Sequence, residues 1–290
     1  MDGGAEERKV KISVFADEID RYDPARAISL AAKWGVSHVE VRQLAGGRFP
    51  AVDDNELAAF HARVRDAGLG ISGVSPGFFK GPLDDPRIDG HLRESLPRAC
   101  EWALRLGADR VSGFAFERTS APRPPSAVVD RLGQMADTAA REGCRLALEN
   151  EAVCWGATGT EAASLIRQVG EDRISLCWDP GNSARAGTPS PYPEEYEDLR
   201  DLVSHVHVKN FDPGTGAWSM AEEGIVDWPG QLHALSADGY SGFVVVETHL
   251  DISPDAFEVA DHGFEGLAAN SLRNLEYVRS RLGVSSGENK

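Results

Sequence analysis

Ser204-His205-Val206-His207-Val208-Lys209-Asn210-Phe211-Asp212 is the stretch from which the rest of the chain is read. Its alternation, carried on a short strand, sends both imidazoles and the Lys209 amine to one face. If that face lines a pocket, it places metal ligands beside a cation. Three other segments end in the same manner: Arg145-Leu146-Ala147-Leu148-Glu149-Asn150, Ile174-Ser175-Leu176-Cys177-Trp178-Asp179 and Phe243-Val244-Val245-Val246-Glu247 each finish an apolar run with a carboxylate. The repetition, more than any one segment, requires an explanation.

Working outward, strands alternate with helices. Strands are expected at Val10–Phe15, Val36–Val41, Leu69–Val74 and Arg110–Phe114, then at the four segments above, the seventh centred on Val206. Helices are expected from Asp23 or Pro24 to Trp34, Asp54 to Ala67, Gly90 to Leu106, Ser126 to Arg141, Glu161 to Val169, Tyr192 to Leu202, Trp228 to Asp238 and Phe257 to Leu282. Gly35, Gly68, Gly107 and Gly143 stop the early ones. Pro180 to Gly187 reads as a long polar loop, and the proline-rich Ala121–Ser126 as a surface loop. Eight such units without a long linker predict an α/β fold of the (β/α)8 TIM barrel type. The expected organisation is a flexible leader over 1–9, a single barrel domain over 10–282 and a flexible tail over 283–290.

Composition bounds the function. The chain has 290 residues, 41% of them hydrophobic, enough for a large core. Thirty Lys and Arg face 46 Asp and Glu, a formal charge of -16, which disfavours nucleic-acid backbones and anionic membranes. The first nine residues lack a signal-peptide core, and no apolar run approaches the roughly 18 residues of a membrane span. Cys100, Cys144, Cys154 and Cys177 form no Cys-x-x-Cys pair and read as reduced thiols of a cytoplasmic protein, with Cys154 the most open. No Gly-x-Gly-x-x-Gly and no Gly-Lys-Ser/Thr phosphate loop marks a nucleotide site.

In a barrel the C-terminal strand ends meet at one mouth, so Glu149, Asp179, His207 and Glu247 converge. Three carboxylates raise one another's proton affinity unless a cation holds them charged. A divalent metal ion with mixed oxygen and nitrogen ligands meets that need and leaves positions for substrate.

Ala147-Leu148-Glu149-Asn150, Asp179-Pro180-Gly181-Asn182, His205-Val206-His207-Val208-Lys209 and Val245-Val246-Glu247 resemble the xylose-isomerase-like barrel superfamily, in its sugar-phosphate isomerase/epimerase branch. The resemblance covers nearly the whole chain. It implies one divalent ion, Mn, Mg, Co or Zn, on Glu149, Asp179, His207 and Glu247. It also implies a place in carbohydrate metabolism, with proton transfer beside a carbonyl through an enediolate and with Glu149 and Glu247 as acid/base groups. Glu40, Lys80, Trp155, Asn182, His205 and Lys209 are the expected substrate contacts; Asn182 stands where the family's ketose epimerases carry a histidine. Trp218, Phe79 and Phe15 are further wall candidates, with Phe15 assigned to the core by default. Asp212 is a candidate neighbour of His205 or Lys209, and Arg185 a candidate anion contact. The expected partner is a small polyhydroxylated carbonyl substrate, with or without a phosphate, and neither nucleic acid nor membrane. Self-association into a homo-oligomer is open, since no segment specifies an interface. Three alternatives remain: a polyol or keto-acid dehydratase or isomerase on the same site, a metal-dependent abasic-site endonuclease, and a noncatalytic binding barrel.

Overall fold

The computed structural model describes residues 10–250 and 260–284. Eight parallel strands close on themselves: β1 (Lys11–Phe15), β2 (His38–Val41), β3 (Gly70–Phe78), β4 (Arg110–Gly113), β5 (Arg145–Glu149), β6 (Ile174–Trp178), β7 (Val203–Val208) and β8 (Phe243–Val246). Each pairs with its sequence neighbours, and β1 closes the ring on β8 with Val14 opposite Val246. This is the expected (β/α)8 barrel. The expected leader, the last residues of the tail and the start of the final helix at Phe257 lie outside the described residues.

The helices follow from local chemistry. Asp23 accepts hydrogen bonds from the amides of Ala25 and Arg26, and Pro24 opens the first long helix, Pro24–Lys33. Gly35, at φ +68, lets the chain turn back toward β2 without a Cβ penalty. Leu132, Met135, Ala136 and Ala139 bury one face of Ser126–Arg141, at the predicted bounds. None of the described helices is long and apolar enough to cross a membrane.

Three expectations need correction. Pro180–Arg185 is a short buried helix, because Asp179 caps it by accepting from the Asn182 amide and Pro180 presets its first turn. The stretch from Tyr192 to Leu202 is broken into Pro191–Glu194, in which Tyr192 itself is extended, Tyr196–Leu199 and a 3-10 turn at Arg200–Leu202. Cys154, expected to be open, is fully buried through a bridge to Glu117, and all four cysteines are buried thiols.

Outside the barrel wall the packing is aliphatic, with Val39, Val111, Leu146, Leu176, Val206 and Val244 fully or almost fully buried under the helices. The barrel interior is polar. Glu40 accepts from Ser72 and Ser75, Ser13 meets Ser72 at 2.8 Å, and Ser112 donates to Ser75. A buried polar interior is tolerated where each group finds a partner, as these do.

At the rim one side chain couples two strand ends. Asn150, just past β5, donates to the Asp179 carbonyl at 2.7 Å and accepts from the Asp179 amide at 2.8 Å. Both bonds are fully buried, so truncation strands the Asp179 amide. Asn150→Ala should cost about 2–4 kcal/mol in denaturant unfolding. A loss under about 1 kcal/mol would show that this clamp does not fix the β5 and β6 ends.

Candidate metal centre

Glu149 is the last residue of β5, Asp179 follows β6, His207 is the fifth residue of β7 and Glu247 follows β8. Strand parity points each into the mouth, and one ligand atom from each lies within 4.8 Å of the others. All four are buried, none more than 5% exposed.

His207 shows why this set suits a cation. Its Nε2 lies 3.2 Å from the buried Glu40 carboxylate, while Nδ1 faces Glu149 at 3.3 Å and Glu247 at 3.5 Å. Nδ1 is nevertheless without a properly angled hydrogen bond. An imidazole tied by one nitrogen to a carboxylate, with the other aimed at carboxylate oxygens, is the arrangement of a metal-ligating histidine and its orienting partner. Burial disfavours the imidazolium, yet the Glu149 carboxylate beside it holds His207 well above its ordinary range. A divalent ion competes with that proton for the same position. Cys177, beneath His207, is pushed up to about 12 by burial and stays a neutral thiol.

The surroundings keep the carboxylates ionised unequally. Lys209 lies 2.7 Å from Asp179 and 3.0 Å from Glu247, and each carboxylate oxygen retains a lone pair beside that contact. Arg42 donates to Asp17 and Glu18 as well as Glu247, the last at 2.7 Å. His249, at φ +57, spans Glu18 and Glu247. Burial opposes ionisation of Glu247, but Lys209, His249, His207 and Arg42 hold it well below the carboxylate range. Asp179 is pushed up to about 6 by burial, against Lys209 and with repulsion from Glu247 and Glu149.

A cavity of about 300 Å³ opens onto the cluster, lined by Phe15, Ser75, Lys80, Glu149, His207, Lys209 and Glu247 among others. That is the lower end of small-ligand pockets. Of the expected substrate contacts, Lys80 and Lys209 reach this cavity. Glu40 and His205 do not: they lie inside the barrel, 2.6 Å apart, where Glu40 orients both imidazoles. Asn182 is fully buried, its amide nitrogen spent on the Asn150 carbonyl and Asp179. Trp155 packs in the core at 2% exposure, with Arg118 over its ring. Phe15 lines the cavity, its ring edge-on to His207 at 5.0 Å, whereas Phe79 is buried among Phe78, His91 and Phe116. Trp218 lies on a hairpin over Lys209 and His249 and carries Arg185 on its ring. Asp212 binds Gly214 and Thr215 of its own turn.

Sequence reading assigned no role to Asp17, Glu18, Arg42 or His249. The available signal was the one already used at the other strands: Asp17 and Glu18 stand two and three residues past the end of β1, Arg42 directly follows β2 and His249 stands two residues beyond Glu247.

Two outcomes follow for Mn2+ binding by titration calorimetry. Glu40→Gln, outside the cavity, should weaken Mn2+ about 10- to 100-fold by loosening His207; unchanged affinity would remove Glu40 from that role. Affinity should also fall as pH drops through about 6, where Asp179 takes up its proton and His207 is already protonated. A flat profile would detach these groups from the metal.

No curated protein matches the chain. Among solved structures, D-allulose 3-epimerase from Methylomonas sp. in complex with D-allulose superposes with a TM-score of 0.72 at 18% identity, covering 94% of this chain and 98% of that one. A xylose isomerase-like TIM barrel protein from Mycobacterium smegmatis in complex with magnesium gives 0.63 at 21% identity, with 92% and 97% covered. The probable 3-DHS dehydratase of petrobactin synthesis from Bacillus anthracis gives 0.67 at 15% identity, with 89% and 98% covered. These likenesses concern the fold. The sequence itself matches the family model described as xylose isomerase-like TIM barrel over residues 28–270, and the chain therefore belongs to that family.

Proposed function

We propose that the protein is a divalent-metal-dependent isomerase or epimerase of a small polyhydroxylated carbonyl compound, acting by proton transfer at the carbon beside the carbonyl. The observation that carries this reading is the pair Glu149 and Glu247, two buried carboxylates flanking His207 and both lining one sugar-sized cavity. The epimerases of similar fold, which act on D-allulose and L-ribulose by their names, lend support.

Glu149, Asp179, His207 and Glu247 would hold the ion. When bound, it supplies Lewis-acid polarisation of the carbonyl and the neighbouring hydroxyl. The chain's own groups then divide the proton work. Glu247 is engaged by Arg42, His249 and Lys209, so its lone pairs are largely committed. Glu149 has His207 as its one ion-pair partner among the described residues and retains an oxygen for a substrate proton. We assign Glu149 as the base that takes the substrate proton and Glu247 as the group on the opposite side, which delivers a proton drawn from solvent while the one removed stays on Glu149. Proton return to the opposite face gives epimerisation; return to the adjacent carbon gives aldose-ketose isomerisation. Lys209 and Arg42 stabilise negative charge on the enediolate side of the cavity. Lys80, held 2.5 Å from Glu151, is placed to meet a hydroxyl.

The test is solvent-deuterium incorporation into a panel of ketoses, aldoses, their phosphates and inosose-like polyols by Mn2+-loaded protein. Exchange is expected with the wild type. Glu149→Gln should lower its rate by about 10²- to 10⁴-fold, and Glu247→Gln should lower it as well. Exchange that survives both substitutions would remove the glutamates as proton carriers.

A further inference from the structure

The mouth of this acidic protein is rich in cations. Arg21, Arg42, Arg48, Lys80 and Lys209 all line the cavity. Three are neutralised: Arg42 by Asp17, Glu18 and Glu247, Lys80 by Glu151, and Lys209 by Asp179 and Glu247. Arg21 and Arg48 form no ion pair with a carboxylate among the described residues, and Asp17, Glu149 and Glu247 act on Arg48 only from a longer range. Arg48 is exposed and Arg21 half-buried, so water still reaches both, and their charges are left open to an anion that enters the mouth.

Arg48 is also held in position. Its Nε donates to the Pro76 carbonyl at 3.0 Å and its Nη2 to the Ser75 carbonyl at 3.1 Å, neutral acceptors that fix its plane without cancelling its charge. The plane lies against Gly77, where a Cβ would fall 2.7 Å from Nη2 and where φ is +79. A side chain at 77 would thus collide with the guanidinium, and the glycine makes its seat. Arg21 is half-buried in the turn after β1, with Nε shielded from solvent and unpaired.

Their place in the barrel gives the direction. Arg21 follows β1 and Arg48 closes the small hairpin after β2, whereas the cation ligands follow or end β5 to β8. In a ring of eight strands, β1 stands diametrically across from β5. Arg21 and Arg48 therefore belong to the side of the ring that stands opposite β5 and β6, which carry Glu149 and Asp179. We propose that the substrate carries an anionic group, a carboxylate or a phosphate, at the end away from its reacting carbonyl, and that Arg21 and Arg48 bind that group. This inference rests on the β5 to β8 side being the reacting end, as argued above. Planar guanidiniums suit the two-oxygen edge common to both anions.

The experiment compares three ligands that differ at one end only: D-fructose, D-fructuronate and D-fructose 6-phosphate. Binding to the Mn2+-loaded full-length protein is measured by calorimetry. At least one anionic ligand should bind about tenfold or more tightly than D-fructose, and the better of the two identifies carboxylate or phosphate as the source. Arg48→Met and Arg21→Met should each remove most of that advantage while D-fructose and Mn2+ bind as before. Gly77→Ala, which keeps the charge and disturbs its seat, should remove part of it. Equal binding of all three ligands to the wild type overturns the proposal without any variant. An anion advantage that survives both arginine substitutions overturns it as well. Anion preference without deuterium exchange on any ligand would leave the subsite standing and remove the catalytic reading. Exchange on D-fructose without anion preference would do the reverse.

Discussion

The imidazole of His207 links the two halves of the structure's chemistry. One nitrogen is tied to Glu40 inside the barrel, and the other faces the carboxylates at the rim. Glu40 can act as this anchor because its own burial is compensated: His205, His207, Ser72 and Ser75 all contact its two oxygens. Branched aliphatic side chains usually fill the interior of such barrels, and they would pack well while leaving the ring free to turn. A hydrogen-bonded interior instead sets the ring plane, and with it the direction in which Nδ1 points. Stability comes from the aliphatic outer wall, and ligand geometry from the polar lining. Each can be altered without removing the other.

Charge at the rim is organised by the same economy of partners. Glu149, Asp179 and Glu247 stand within reach of one another, and burial, with repulsion from the other two added to it, pushes Asp179 up to about 6. Glu247 escapes because Arg42, Lys209 and His249 converge on it. Arg42 in turn spends its guanidinium on three acids from two strand ends, so the β1 and β2 rim is fastened to the residue after β8. The net charge of the chain says nothing of this. An acidic protein has built a mouth in which cations outnumber the carboxylates that line it.

The fold was legible because a buried parallel strand has one simple signature, an apolar run ended by a polar residue and a helix start. The last four strands carry it most plainly, and the four clustered residues were visible at or near their polar ends. Orientation was harder. Glu40 and His205 sit on strands where parity predicts a face but not whether that face looks into the cavity or down the barrel axis; a register shift between Val39 and Glu40 also intervenes. Asn182 was expected to contact substrate because Pro180 and Gly181 suggest a loop at the mouth, yet the same proline opens a helix once Asp179 caps it. Trp155 looked like a wall residue because its segment lacks periodicity, and the Glu117 to Cys154 bridge draws that segment into the core. Arg42 and His249 were overlooked because they stand past the strand ends, where sequence alone does not show which way a side chain turns.

The division of labour around the ring has a physical basis. Residues on strand ends inherit the stiffness of the barrel, and a cation site needs ligand atoms fixed to a fraction of an ångström. Glu149, His207 and the residues just after β6 and β8 meet that demand because hydrogen-bonded neighbours on both sides hold their backbones. Arg21 and Arg48 belong to a turn and a two-residue hairpin strand, segments that can change length or sequence without disturbing the ring. If substrate identity is read at that side, recognition can diverge while the reacting end is preserved. One barrel could then serve related proton transfers on different molecules, since the function resides in the site and not in the fold.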